Sequence, residues 1–364
     1  MLVFVGTYTD RILFGSGHVL QGKGEGIYVY RFDEVRGTLR LVGTNPGITN
    51  PSYLAVHPSR RFLYAVNELK EYEGKATGTV SAFALEGDEG GLRVVNKQLT
   101  HGTDPCHVVV DDTGAYAFVS NFMSGSVCVL PVRPDGSLGE ASDFIQHQGS
   151  SIDPLRQKGP HAHAVTLDAA NRFAFVPDLG LDKLLAYRFD RRRGMLEPNC
   201  VPWIKMKPGA GPRQVVFHPG GTRAYVVNEL DSTVSAFGYD AAGGTFEYIE
   251  TVSTLPTDYS GPSSCAEIQV SPSGRQVYAS NRGHDSIAIF QVDAESGALR
   301  PSGHESTQGR TPRSFGIDPT GRFLLAANQD SDSVIVFRVD SAEGGLEPTG
   351  QIVSVPTPVC VKFF

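Results

Sequence analysis

The chain has 364 residues, of which 40% are hydrophobic and 20% are charged, and its formal net charge is −7. This is the composition of a folded globular protein, and it excludes a disordered or fibrous chain. The mild acidity predicts neither a nucleic-acid nor a membrane partner, and no apolar stretch approaches the roughly 18 residues that cross a bilayer.

Five cysteines are scattered through the chain, and no two of them form a Cys-x-x-Cys pair. An odd number without pairing motifs predicts neither a disulfide framework nor a zinc site, and it fits a reducing compartment. The first seven residues contain a short apolar run with no basic segment before it, which predicts a β-strand rather than a signal peptide. We therefore expect a cytoplasmic protein.

One unit of sequence recurs six times after this first strand. Each copy reads as a strand, a tight turn rich in Gly, Asp and Pro, a second strand that ends at Asn or Asp, and two further strands. The copies begin at Pro51, Pro105, Pro160, Pro212, Ala266 and Pro312. Four antiparallel strands per repeat predict the blades of a β-propeller, an all-β fold.

The spacing of the repeats sets the number of blades. The five steps from Asn67 to Asn328 average about 52 residues, so 364 residues correspond to seven blades. The seventh is predicted to be split, with its innermost strand in residues 356–364 and its other strands in residues 1–45. Pairing of the two chain ends closes the ring and leaves no sheet edge exposed between the first and last blades. The prediction is a single propeller domain over residues 1–364.

The strand order also predicts which residues meet at one mouth of the central channel. In an up-and-down blade, the first strand starts and the second strand ends at the same face, which also carries the connections between blades. The long insertions at residues 10–25, 69–77, 142–159 and 253–264 all fall on this face. Loops of this kind commonly build binding and catalytic sites.

Charged and polar residues interrupt the repeat at this mouth. The candidates are Glu68, His107, Arg213, Glu229, Glu267, Arg282 and Arg313. The three arginines stand where other blades have small or neutral residues, and a structural repeat gives no reason for charge in only some blades. We interpret the group as a pocket for a small anion, and we interpret the recurring Asn at the end of each second strand as architectural.

Two histidines, His161 and His163, add to this set. At positions i and i+2 of an extended strand they are expected to point to the same face. A third metal ligand at suitable spacing is not evident, so we predict no metal site, because transition-metal sites need three or more converging ligands. A proton shuttle beside Glu229 is the favoured role.

Five motifs carry a resemblance to a known family. They are Phe-Val-Gly-Thr-Tyr-Thr at 4–9, Pro-His-Ala-His at 160–163, Gly-Pro-Arg at 211–213, Val-Asn-Glu-Leu at 227–230 and Tyr-Ala-Ser-Asn-Arg at 278–282. They resemble the seven-bladed lactonase family, which groups bacterial 6-phosphogluconolactonases of the propeller type with fungal carboxymuconate-lactonizing enzymes. The resemblance covers essentially the whole chain.

The resemblance implies a catalytic set of His161 or His163, Arg213, Glu229 and Arg282, with no metal or organic cofactor. It is consistent with hydrolysis of a small anionic sugar lactone such as 6-phosphogluconolactone. Glu229 would act as general base, relayed through His163, while the arginines stabilise the oxyanion. The predicted substrate-binding residues are Glu68, His107, Glu267 and Arg313, and an arginine fork offers paired hydrogen bonds to phosphate.

Two other functions remain open. The same arginines could hold the carboxylates of a muconate during cycloisomerisation, and a propeller without catalysis could present a surface to protein partners. One tryptophan and no Trp-Asp dipeptide argue against a WD-repeat scaffold. From sequence alone we expect Glu229→Gln to remove activity with little effect on thermal unfolding, and the oligomeric state is not predicted.

Overall fold

The computed structural model describes residues 1–87 and 89–364. Within them the first strands are β1 Leu2–Thr7, β2 Arg11–Leu13, β3 Val19–Gln21, β4 Gly26–Asp33, β5 Thr38–Pro46, β6 Leu54–Val56, β7 Phe62–Asn67, β8 Thr79–Glu86 and β9 Gly91–Leu99. The next are β10 Pro105–Val110, β11 Tyr116–Asn121, β12 Ser126–Pro131, β13 Asp143–Gln146, β14 Thr166–Leu167, β15 Phe173–Asp178, β16 Lys183–Asp190 and β17 Met195–Lys205.

The remaining strands complete the pattern. They are β18 Pro212–Phe217, β19 Arg223–Asn228, β20 Thr233–Asp240, β21 Thr245–Ser253, β22 Ser264–Val270, β23 Gln276–Arg282, β24 Ser286–Val292, β25 Leu299–Ser306, β26 Pro312–Ile317, β27 Phe323–Asn328, β28 Ser333–Val339, β29 Leu346–Ser354 and β30 Pro358–Phe363. A single 3₁₀ turn, Gln329–Ser331, follows β27 among the described residues.

Seven antiparallel four-stranded sheets form the blades. Six contain consecutive strands, from β6–β9 through β26–β29, and the seventh has the order β30-β1-β4-β5. Strands β2 and β3 form a separate hairpin. The predicted seven-bladed propeller with one split blade is therefore confirmed.

The two chain ends close the ring. Strand β30 pairs antiparallel with β1, with Val5 opposite Val361, and the backbones of Leu2 and Phe364 exchange hydrogen bonds of 3.0 and 2.9 Å. The residues of β30 from Pro358 to Val361 are buried, because neighbouring blades cover both faces of the sheet. An apolar run of this kind is typical of a central strand, although it stands at the end of the chain.

Polar contacts repeated in several blades join each blade to the next. The hydroxyls of Tyr64, Tyr225 and Tyr278 donate to the carbonyls of Gly136, Gly297 and Gly344 in a turn of the following blade. Each of these glycines has a positive φ that other residues adopt with strain. The recurring Asn residues also act structurally: the amides of Asn67, Asn121, Asn281 and Asn328 donate to carbonyls in the preceding connections.

Several innermost strands contain a β-bulge at their start. In β10, β18 and β26 the pairing register shifts around one extra residue, which is Cys106, Arg213 or Arg313. A bulge re-aims side chains, because two residues oppose one on the partner strand. We use "upper face" for the face where these innermost strands begin.

Candidate active site

A cavity of about 280 Å³ opens at the upper face of the channel and is called the upper cavity here. The predicted residues that line it are Glu68, His163, Glu229, Arg282 and Arg313. Arg213 lies just below them, in the narrow waist of the channel, which is also lined by Glu68, His163 and Arg313. The structure therefore brings together most of the side chains that the sequence placed at one mouth.

Glu229 is the centre of the cluster. Its Oε1 accepts a bond of 2.7 Å from Nη2 of Arg156, and its Oε2 lies 3.0 Å from both Nε of Arg213 and Nη2 of Arg282. The carboxylate is 5% exposed and Arg213 is 4% exposed. Three guanidinium groups thus surround one buried carboxylate, and the cluster carries two uncompensated positive charges.

The backbone holds this cluster in place. The N–H of Glu229, which directly follows β19, donates to the carbonyl of Gly211 at 2.7 Å. Gly211 has a φ of 64°, and a side chain there would collide with Leu230, so the Gly-Pro-Arg motif needs its glycine. Arg213 and Arg282 also donate to the carbonyls of residues 266 and 265, at 2.6 and 2.7 Å. The first contact fixes Arg213 against the next blade, and the second fixes Arg282 against the innermost strand of its own blade.

The charges determine the protonation state of Glu229. Burial by itself raises the pKa of this carboxyl, but the charges of Arg282, Arg156 and Arg213 outweigh burial, so the pKa lies well below its usual range. Burial also lowers the pKa of Arg282 to about 10, despite the opposing charge of Glu229. At neutral pH both groups are therefore charged.

His163 lies in the same cavity, and its imidazole ring is neutral. Burial and the charge of Arg213 lower the pKa of His163 well below its usual value, and the charge of Glu229 opposes them. Its Nδ1 lies 3.8 Å from Sγ of Cys106, whose own pKa is raised by burial. A neutral imidazole can accept a proton, and the negative charge of Glu229 favours the imidazolium that forms.

The two histidines take different places beside the cavity. Both precede the short strand β14 rather than lying within it, and only the bridge between Ala162 and Asp178 pairs this segment. His161 stacks on the ring of Phe122 at 4.7 Å, and its Nδ1 lies 3.0 Å from the Phe122 carbonyl. His163 alone of the pair lines the cavity. Both rings contact Phe122, but of the two candidates that the sequence left open only His163 reaches the cavity.

Two other predicted residues face the opposite end of the channel. His107 and Glu267 line a wider funnel of about 830 Å³, together with Tyr53 and Lys362. His107 follows the bulge residue Cys106, so the two adjacent side chains reach different compartments. Glu267 also lines the waist, where it is buried beside Ser314.

The sequence did not identify Arg156 or the β2–β3 hairpin as parts of the site. Arg156 lies in the insertion at residues 142–159, and Phe14, Ser16 and His18 of the hairpin line the upper cavity. Both segments were placed on the upper face, but nothing in their sequences showed which side chain reaches the channel. An arginine in a long insertion on that face was the available signal.

No group of three or more His, Cys, Asp or Glu side chains suitable for a metal ion occurs in residues 1–87 and 89–364. The same part of the chain contains no helix of the length and hydrophobicity needed to cross a bilayer.

Comparison with known proteins assigns this propeller to a class. The family described as "Lactonase, 7-bladed beta-propeller" matches residues 2–363, and the chain belongs to that family. A 6-phosphogluconolactonase of Bacillus subtilis is 37% identical over 360 residues, covering 99% of this chain and 97% of the relative. One from Formosa agariphila is 34% identical over 320 residues, covering 87% of this chain and 86% of the relative.

A solved structure extends the similarity to the whole fold. The periplasmic gluconolactonase PpgL of Pseudomonas aeruginosa superimposes with a TM-score of 0.91 at 33% identity. The match covers all of this chain and 99% of that protein. Relatives with this fold thus include proteins named for a phosphorylated and for an unphosphorylated sugar lactone.

Proposed function

We propose that this protein hydrolyses a sugar δ-lactone with an anionic substituent, such as 6-phosphogluconolactone. The observation that carries the proposal is the buried cluster of Glu229 and three arginines beside neutral His163, in a cavity of a lactonase-family propeller. The names of the B. subtilis and F. agariphila relatives support the same substrate. No metal or organic cofactor has a part in this proposal.

The charges around the cavity support an anionic substrate. Five carboxylates line the cavity and its waist, those of Glu68, Asp104, Glu229, Glu267 and Asp330. Five cations accompany them, namely Arg156, Arg213, Arg282, Arg313 and Lys70, which pairs with Asp104 at 2.9 Å. The positive charge is concentrated at the Glu229 cluster, where three arginines surround one carboxylate and attract a small anion, and the other carboxylates can accept hydrogen bonds from sugar hydroxyls.

In the proposed reaction, water attacks the lactone carbonyl while His163 takes a proton from it. Glu229 remains ionised and stabilises the resulting imidazolium, since a carboxylate held by three arginines is a weak base. The new oxyanion is bound by Arg282, whose buried Nε has no hydrogen-bond partner among the described residues. The ring C–O bond then breaks, and His163 returns its proton to the departing oxygen.

Purified enzyme should hydrolyse 6-phosphogluconolactone faster than the buffer blank and should not lactonize carboxymuconate. Arg213→Ala should reduce kcat by at least about 100-fold, because it removes one of the positive charges that stabilise the oxyanion. Product formation by both proteins measures this. Turnover of the muconate, or a wild-type rate equal to the blank for both substrates, would show that the assignment is wrong.

The activity should persist as the pH falls through 6.5, the usual pKa of a histidine, because His163 stays neutral to well below that value. Protonation of His163 at lower pH should then abolish its action as a base. His163→Asn should lower kcat by about 10²–10⁴-fold and remove this acidic limb. A pH profile of kcat for both proteins, measured against His161→Asn, tests the role. An unchanged limb in His163→Asn would contradict it.

We also propose that the protein acts in the cytoplasm. Its five cysteines are all free, and Cys200 is exposed, which suits a reducing compartment. Because one relative is named as periplasmic, fractionation of the native cells is the direct measurement. Recovery in the periplasmic fraction would refute the proposal.

A further inference from the structure

Arg313 differs from the other arginines of the upper cavity. Arg156, Arg213 and Arg282 all bind Glu229, whereas Arg313 has no hydrogen bond and no ion pair to any described residue. A guanidinium group carries five N–H donors and is costly to bury without acceptors. Its donors are therefore available to a ligand in the cavity.

Aromatic rings hold Arg313 in position. Unlike a carboxylate, they leave the N–H donors of its guanidinium group available. Its Cζ lies 5.4 Å from the centre of the Tyr8 ring and 5.2 Å from that of Phe14, distances typical of cation–π contacts. The Tyr8 hydroxyl donates to Glu68 at 3.0 Å, which fixes the first ring. Phe14 belongs to the β2–β3 hairpin, so this hairpin and the arginine are coupled.

The β2–β3 hairpin reaches across the mouth of the cavity. Its turn brings Gly15 so close to Phe122 that a β-carbon at position 15 would lie 3.1 Å from that ring. Phe122 in turn contacts His163, with ring centres 5.2 Å apart. The hairpin therefore spans from Arg313 to the side of the cavity that holds His163. The exposed tip places Ser16 and His18 on the cavity rim.

We propose that Arg313 and the tip of the β2–β3 hairpin form a subsite for the phosphate of the substrate, separate from the Glu229 cluster. Arg313 supplies paired N–H donors, Ser16 and His18 supply further polar groups, and Phe14 orients the guanidinium. This inference rests on the proposed function, because it assumes that the ligand is a phosphorylated sugar acid or its lactone. It makes Arg313 and Phe14 determinants of specificity rather than of the hydrolytic step.

The subsite explains how one fold can serve two kinds of lactone. The Glu229 cluster addresses the lactone carbonyl, which phosphorylated and unphosphorylated substrates share. Arg313 contacts only the group that distinguishes them. An arginine–phosphate contact made at one end of a substrate changes binding without changing the chemistry at the other end.

Binding of the two hydrolysis products tests the subsite without relying on turnover. Calorimetric titration should show that the wild-type protein binds 6-phosphogluconate about 10- to 100-fold more tightly than gluconate, the range that charged hydrogen bonds provide. Arg313→Gln should bring this ratio close to one with gluconate binding unchanged. Phe14→Ala should reduce the ratio by up to about 10-fold, because the guanidinium loses one of its two supporting rings.

Arg310→Gln is the matched control. Arg310 is exposed on the same blade and donates to the Asp330 carbonyl, and it does not line the cavity. Its substitution removes the same charge and should preserve the ratio. Ser16→Asp places a new negative charge at an exposed position and should weaken the binding of 6-phosphogluconate but not that of gluconate. This variant tests the subsite even if Arg313→Gln fails to fold.

The possible outcomes separate this inference from the proposed function. Equal wild-type affinities for the two products, or an Arg313→Gln variant that loses both equally, would overturn the subsite. A soluble Arg313→Gln variant that keeps the wild-type ratio would do the same, as would full 6-phosphogluconate binding by Ser16→Asp. A selective loss in Arg313→Gln supports the subsite even in a protein that hydrolyses neither lactone, a result that would refute only the proposed reaction.

Discussion

Replacing Glu229 by Gln is expected to lower kcat for lactone hydrolysis by about 10³-fold, because the charge that stabilises the His163 imidazolium is lost, and to lower the free energy of unfolding by about 3 kcal/mol. The variant keeps the shape of the side chain but leaves three closely spaced arginines without their shared counter-ion. Removing one partner of a buried ion pair is strongly destabilising, because the remaining charge stays desolvated. Kinetic assays and denaturant unfolding of the same preparation measure both effects.

Glu197→Gln is the control for this experiment. Glu197 also pairs with two arginines, Arg188 at 3.0 Å and Arg193 at 3.8 Å, but its side chain is 45% exposed. Exposed pairs contribute at most about 1 kcal/mol, so this variant should retain both stability and activity. Equal losses of stability in the two variants would show that burial of the Glu229 cluster has no special effect. Full activity of Glu229→Gln would remove Glu229 from the mechanism.

The structure changes the earlier expectation for this variant. From the repeat alone, Glu229 was expected to matter for activity and not for stability. The ion pairs to Arg156, Arg213 and Arg282 connect three separate segments through one carboxylate. A residue with that many buried partners contributes to both properties.

Deleting residues 358–364 is expected to prevent cooperative folding of the propeller. The deletion removes β30, the innermost strand of the split blade, and exposes the edge of β1 together with the faces that neighbouring blades cover. An unpaired edge and lost apolar burial both favour aggregation over a closed ring. Circular dichroism during heating, with size-exclusion chromatography, should show no native transition.

A circular permutant tests whether folding requires strand β30 itself or only chain termini at their natural positions. The backbones of Leu2 and Phe364 are hydrogen-bonded, so a short linker can join the termini, and the turn at residues 241–243 can be opened instead. This permutant retains every strand and should unfold cooperatively near the wild-type temperature. A deleted chain that unfolds like the wild type would contradict the role of β30 in closure.

Much of the fold could be predicted because each blade repeats the same local pattern. Turn residues such as Asp318, Gly321 and Gly274 recur at fixed distances between apolar runs, and the short apolar run at the C-terminus matched a missing first strand. Repeats of about 52 residues then limited the number of blades. These are local signals, and they predict the whole architecture because each repeat forms one blade of the propeller.

The amino-acid sequence by itself determined the seven blades, the split blade and the face on which the charged residues gather, because these follow from periodicity and chain direction. Only the tertiary structure decided which side chains enter which part of the channel. The bulges at Cys106 and Arg213 send adjacent residues into different compartments, so that His107 faces the lower funnel. Arg156 reaches Glu229 from an insertion 73 residues away. Such contacts depend on backbone irregularities and loop paths, which carry no periodic signal in the sequence.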